Sequence, residues 1–389
     1  MQRPALILPE PPPALAEFST QLCNRIVNAM APVGHLRFDQ FMSMALYEPE
    51  LGYYMNDRPK FGTAGDFVTA PEQGALFAQG LALGLGSVIP ALPQHWVLVE
   101  AGPGTGALAR DLLLALDAPP ARYLMIEPSP RLRAQQRQTL AALPSALQQR
   151  VEWFDQPPSD SFEGVILANE VLDALPVQCF EWRVDGLYER VVEFRNGRFG
   201  WRCESPSNAL QAAFKQRLDR PSLCWPDGYR SELCTRISDW MAALTRPLSR
   251  GVVLMVDYGY PRTEYYRAER DQGTLVAHYR HRAHFDPLAW PGLTDVSAFV
   301  DFTAVAEEGL ALGFELLGFT SQAGFLLGSG LLDAVAAVQN SQPQLALSAE
   351  FKRLTLPDEM GERFKVMALG KQIRIDTSPF ELSDQRHRL

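Results

Sequence analysis

After a proline-rich first dozen residues that read as a loose arm, apolar positions recur at helical spacing from Pro13 to Met30 and again from Arg37 to Leu46. Leu51 to Pro71 is rich in glycine, proline and aspartate and predicts loop with short strands; helical periodicity returns from Glu72 to Gly86. The pattern then becomes regular. Trp96 to Glu100 is a short apolar run that ends in a glycine loop, Ala101-Gly-Pro-Gly-Thr-Gly106, and a helical stretch follows from Ala107 to Leu116. Tyr123 to Glu127 predicts a second strand, Pro130 to Leu143 a helix, Val151 to Phe154 a third strand and Gly164 to Ala168 a fourth. Strands alternating with helices predict βαβ units and a parallel sheet.

After Pro176 the period changes. Gln178 to Arg183, Tyr188 to Phe194 and Arg198 to Cys203 predict antiparallel strands, with turns at Asp185-Gly186 and Asn196-Gly197. The buried run Gly251 to Val256 resumes the core, and Phe314 to Phe319 and Phe364 to Leu369 complete it. The expected organisation is an accessory region at 1–94, an α/β core at 95–177 and 250–371, an antiparallel insertion at 178–249 serving a substrate cleft, and a tail at 372–389.

Composition narrows the partners. The chain has 389 residues, 47% hydrophobic and 21% charged, which suits one elaborated domain or two and argues against global disorder. Acidic residues outnumber basic ones 45 to 36, a net charge of -9, whereas general nucleic-acid binding calls for a basic footprint. No run approaches the roughly 20 apolar residues of a membrane span, since Leu76 to Leu92 is broken by Gln79 and glycines. The N-terminal apolar run is short and is followed by Glu10 and prolines, unlike an export signal. Cys23, Cys179, Cys203, Cys224 and Cys234 are odd in number and form no C-x-x-C pair, so a reducing bacterial cytoplasm is the expectation; the scarcity of Lys, five of 36 basic residues, agrees with a bacterial source.

The glycine loop carries the first chemistry. Gly102, Gly104 and Gly106 between a strand and a helix let backbone approach a ligand, and the helix offers unpaired N–H groups. Dinucleotides and S-adenosyl-L-methionine both use this layout. Glu100, two residues before the first glycine, would repel a pyrophosphate but suits the ammonium and sulfonium of S-adenosylmethionine. Glu127 is placed to accept the ribose hydroxyls, and Asp155 to take the adenine amino group. An NAD-dependent oxidoreductase is the weaker reading, because no hydride-relay residue stands out.

The fourth strand runs into Asn169-Glu-Val-Leu-Asp-Ala-Leu-Pro176. Asn169, Glu170 and Asp173 at such an end suit a nitrogen acceptor, which must be oriented and must lose a proton around methyl transfer. The bland alternative for Asp173 is the cap of a helical turn.

At these residues the chain resembles the MidA-type family, class I S-adenosylmethionine-dependent methyltransferases related to the mitochondrial complex I assembly methyltransferase. The likeness runs through Phe41 to Tyr54, Gly65 to Glu72, Glu100 to Gly106, Glu127-Pro-Ser, Asn169 to Pro176, Asp257-Tyr-Gly259, Gly292-Leu-Thr-Asp-Val, Thr320 to Phe325 and Met360-Gly. It implies a Rossmann-like class I methyltransferase sheet with an N-terminal helical cover and an antiparallel β insertion. It also implies a protein-arginine methyltransferase that makes symmetric dimethylarginine on a subunit of respiratory NADH dehydrogenase (complex I), with a non-catalytic assembly chaperone as the rival. The family's Gly-Asp-Phe-x-Thr segment falls on Gly65 to Thr69, which puts Asp66 and Thr69 at the cofactor. Glu170 is then the first choice for the acceptor-side base and Asp173 the second.

His278, His281 and His284 have a spacing that invites a metal, but Arg280 and Arg282 between them oppose a cation and methyl transfer needs none; no metal is expected. Arg262 to His284, mixing Arg, Tyr and His, reads as a mobile surface loop or a rim for a protein substrate rather than an RNA contact.

Overall fold

Near-continuous apolar runs build the framework. Val97–Ala101, Arg122–Ile126, Val151–Phe154 and Phe162–Asn169 form β1 to β4; Leu248–Tyr260, Glu315–Ser321 and Phe364–Lys371 form β5 to β7. All five residues of β1 are buried, the pattern of a parallel strand covered on both faces. In this computed structural model, residues 8–58, 60, 69–221, 223–338 and 344–389 are described.

The strands lie in the order β6-β7-β5-β4-β1-β2-β3, with Val300–Asp301 beside β5. Neighbours from β5 across to β3 are parallel, and β7 runs antiparallel to both β5 and β6. The strand order reverses between β1 and β4. Open α/β sheets bind ligands outside the carboxyl ends of the strands at such a reversal. Ala101 pairs with Ala168, so the glycine loop and Asn169 leave the sheet side by side.

The chain divides into two compact units. One combines Val68–Leu172, Ser238–Pro261 and Val300–Leu389 and holds this sheet; the other combines Met1–Phe67, Asp173–Ile237 and Arg262–Phe299. The core of the sheet unit gathers Leu98, Tyr123, Leu167 and Leu254 with Phe325 and Phe380.

The second unit is antiparallel. Leu36–Arg37, Gln178–Arg183, Gly186–Arg195, Arg198–Glu204 and Tyr229–Leu233 form one sheet, and Val276–Tyr279, Arg282–His284 and Asp295–Ser297 a smaller one. Asn196 and Gly197 both take positive φ, 52° and 78°, as a tight hairpin turn requires. The helix Pro13–Met30 buries Leu22, Ile26 and Met30, one stripe at four-residue spacing. Among the described residues no helix is long and apolar enough to cross a membrane.

The units cut across the segments expected from the sequence. The N-terminal 94 residues split between them, 238–249 joins the sheet unit, and 262–299 leaves the core to join the antiparallel unit. Arg262 to His284 is not a surface loop: it contains the helix Arg262–Tyr265 and two strands, with Arg262, Tyr265 and Tyr266 buried. Buried Glu232 anchors it, accepting the Tyr265 hydroxyl at 2.8 Å and the Thr274 N–H at 2.7 Å. The tail 372–389 packs on the sheet unit. Phe380 is buried in the sheet unit's core, and the Gln385 N–H donates to Phe319 O at 2.8 Å. The helix expected over Glu72 to Gly86 is two pieces, Ala70–Gln73 and Leu76–Leu85, broken at Gly74, where φ is 158°. Glu350 caps the second piece, accepting the Leu76 N–H at 2.8 Å.

Candidate active site

The loop after β1 turns on its glycines. Gly102, Gly104 and Gly106 take φ of 62°, 53° and 83°, in the left-handed region that L side chains rarely adopt. A Cβ on Gly102 would also lie 2.9 Å from Val171 Cγ2, so this glycine serves packing within the protein as well as access for a ligand. Gly106 precedes the helix Ala107–Ala115, whose first N–H groups face the loop. Thr105 hydrogen-bonds Glu72 through its hydroxyl.

Glu100 lies near the end of β1, 2% exposed, and accepts the Tyr123 hydroxyl at 2.8 Å. Burial pushes its carboxyl up to about 7, against the opposing effect of the Tyr123 hydrogen bond. Glu127, just past β2, is buried; its Oε1 accepts the Ser129 N–H at 2.8 Å and its Oε2 the Gln136 amide at 3.3 Å. Asp155 follows β3 with its side chain 77% exposed and pairs with Arg133 at 2.6 Å.

Asn169 is the last residue of β4 and donates through Nδ2 to Glu170 Oε1 at 3.2 Å, while its buried Oδ1 has no hydrogen-bond partner among the described residues. Glu170 takes φ of 53°, an uncommon conformation for a residue other than glycine. Its N–H donates to Val256 O at 2.8 Å. Fully buried Asp257 accepts the N–H groups of Val171 and Leu172 at 3.1 and 3.0 Å through Oδ2, and that of Tyr258 at 2.9 Å through Oδ1. The backbone is therefore locked where Glu170 leaves the sheet.

Asp173 stands three residues on, in the antiparallel unit, 7% exposed. It lies in a turn, and no helix follows directly. In the same unit the Ala298 N–H donates to Asp173 O and the Tyr47 hydroxyl to Ala174 O, both at 2.9 Å. Thr69 precedes the helix Ala70–Gln73 without capping it through its side chain; Asp66 lies outside the described residues. His278, His281 and His284 sit on the hairpin of the smaller sheet, where burial lowers His278 to about 4.

The sheet unit thus brings Glu100, the three glycines, Glu127, Asn169 and Glu170 to the carboxyl ends of β1, β2 and β4. Two residues given no role by the sequence reading belong with them. Asp257 ends an unbroken apolar run, a signal that it is buried and bonded. Gln136 interrupts an apolar stripe: the buried positions of the helix Pro130–Leu140 are Leu132, Gln136 and Leu140.

A family profile described as "Putative S-adenosyl-L-methionine-dependent methyltransferase" matches residues 81–320. A Drosophila melanogaster protein named protein arginine methyltransferase NDUFAF7 homolog, mitochondrial, is 30% identical across 92% of this chain and 89% of its own length. The Mus musculus protein arginine methyltransferase NDUFAF7, mitochondrial, is 28% identical across 92% and 86%. A crystal structure of a Burkholderia thailandensis protein bound to S-adenosyl-homocysteine matches with a TM-score of 0.90 at 38% identity, covering 98% of this chain and 100% of that one.

Proposed function

The chain belongs to the family of S-adenosyl-L-methionine-dependent methyltransferases, and from that premise we propose that it methylates an arginine side chain of a protein. The acceptor in this proposal is a subunit of respiratory NADH dehydrogenase, the product is symmetric dimethylarginine, and the reaction takes place in the bacterial cytoplasm. The observation that carries the reading is Glu170, a carboxylate held in a left-handed turn at the end of β4 and bonded by the Asn169 amide.

The residues present fit the cofactor. Three left-handed glycines bring backbone to the ligand without side chains in the way, buried Glu127 ends the strand beside them, and the orphaned Asn169 Oδ1 offers an unused acceptor. When bound, S-adenosylmethionine supplies an electrophilic methyl group on a sulfonium. Gly102, Gly104 and Gly106 would hold its amino-acid end with Glu100, Glu127 its ribose, and Asp155 its adenine.

The remaining work belongs to the acceptor side. A guanidinium stays protonated near neutral pH, so its nitrogen lone pairs are delocalised and poorly nucleophilic. Glu170 binds the N–H fork, concentrates electron density on one nitrogen and takes the proton released as the new bond forms. Asn169 fixes the orientation of that carboxylate, and Asp173 is the second candidate for the base. Alignment accounts for more of the rate than basicity, because well-oriented reactants gain on the order of 7–11 kcal/mol over free encounter.

The test is mass spectrometry of the dehydrogenase subunits from cells with and without this protein. The expected result is an arginine that carries two methyl groups only when the protein is present. Unchanged arginine masses together with lost assembly would transfer the assignment to a non-catalytic chaperone.

A further inference from the structure

We propose that Gln136 is a positioning residue of the cofactor site, tying the carboxylate of Glu127 to the glycine loop. The inference rests on the reading that S-adenosylmethionine lies on that loop with its ribose on Glu127.

The helix Pro130–Leu140 is mostly polar, and its buried stripe is Leu132, Gln136 and Leu140. A glutamine in that stripe, 0% exposed, costs free energy unless its amide is hydrogen-bonded. Three elements supply the bonds. Trp153 on β3 donates its Nε1–H to Gln136 Oε1 at 2.9 Å. An indole N–H can only donate, so this bond fixes which end of the amide is oxygen. Nε2 then faces two acceptors, Gly104 O at 2.8 Å and Glu127 Oε2 at 3.3 Å.

One side chain therefore connects the loop after β1, the carboxylate after β2 and the indole on β3. The contact with the loop is close: a Cβ on Gly106 would lie 3.3 Å from Gln136 Cα. A leucine would fill this space but could not transmit the position of Glu127 to the Gly104 peptide. Ribose hydroxyls on Glu127 and an amino-acid group on the loop then bind to a single rigid body. A glutamine serving only the core would have no influence on either.

The test uses the full chain and S-adenosylhomocysteine as the titrated ligand. Gln136→Leu is expected to raise its Kd about tenfold or more, the effect of losing a buried hydrogen-bond donor to a carboxylate. Trp153→Phe, which keeps the ring but removes the N–H that orients the amide, is expected to raise Kd in the same direction by roughly two- to fivefold. In a double-mutant cycle, Glu127→Ala with Gln136→Leu should bind no more than about threefold more weakly than Glu127→Ala alone. An unchanged Kd in Gln136→Leu, or in Trp153→Phe if the first variant does not fold, overturns the positioning role. Full additivity in the cycle also overturns it, because Gln136 would then act independently of Glu127. A Glu127→Ala variant that binds like the parent would instead overturn the ribose assignment beneath the inference.

Discussion

Asp257 accepts the backbone N–H of Leu172 at 3.0 Å from a position 85 residues further along the chain. Asp257 is fully buried, and through its other oxygen it accepts the N–H of Tyr258. Asp257→Ala strands these donors inside the protein. We expect a loss of stability of about 3 kcal/mol, since each buried group left unsatisfied costs roughly 1–3 kcal/mol. The loss of turnover should be larger than this destabilisation explains, because the Glu170 turn is no longer held. Urea unfolding and a methyl-transfer assay check both parts; an unchanged unfolding midpoint would refute the anchoring role.

Glu170 separates stability from activity. Glu170→Gln should keep S-adenosylhomocysteine affinity within a few-fold and lower turnover by roughly 10²-fold, the range for a lost general base. Glu170→Gly should be just as inactive yet more stable by about 1 kcal/mol, because a left-handed φ of 53° strains any residue but glycine. If Glu170→Gln methylates normally, or loses the ligand outright, another residue is the acceptor-side carboxylate.

Glu100 makes stability depend on pH. Its folded pKa of about 7 lies above the ordinary value of 4.5, so between these values the folded protein binds more protons than the unfolded chain. This contribution is fully present below pH 4.5 and is lost as pH rises through about 7. Its size is about 3 kcal/mol on the scale of 1.36 kcal/mol per unit. Glu100→Gln should flatten the pH profile of unfolding over this window and be the more stable protein at pH 8. Identical profiles for the two proteins would remove Glu100 as the cause.

The glycine loop should reject side chains. Gly104→Val puts a β-branched residue at φ of 53° and should abolish measurable S-adenosylhomocysteine binding in calorimetry. Gly102→Ala should both weaken binding and destabilise the fold, because its Cβ would press on Val171. Retained affinity in both would place the cofactor elsewhere.

Local pattern made much of this fold legible. Pro13–Met30, Val151–Phe154 and Gln178–Arg183 begin and end where the periodicity puts them. The buried runs predict the parallel strands, and Gly102 to Gly106 stand where a strand end meets a helix. What escaped the sequence is non-local. Nothing near residue 262 says that the chain leaves the sheet unit until 300, since Arg262 and Glu232 are buried polar residues whose setting comes from distant segments. The left-handed turn at Glu170 depends on Asp257, and Gln136 on Trp153 and Gly104; neither pairing has a periodicity to show it.

The division of the chain into interleaved segments governs how the protein can be made. Neither unit is a continuous stretch: the antiparallel one is not complete until residue 299 is synthesised, and the sheet unit not until its final segment from Val300 is. Early segments must wait for late partners, which favours slow, long-range assembly over sequential folding of finished halves. A cut between residues 299 and 300 would keep the antiparallel unit's segments together but divide the sheet unit, and one between 67 and 68 would do the reverse, so no single cut separates two whole units. One of the crossings falls directly after Leu172, which lies two residues beyond Glu170. The bond from Leu172 to Asp257 that holds the chain after Glu170, between residues 85 apart in sequence, likewise forms only once synthesis has passed the whole of the intervening segment.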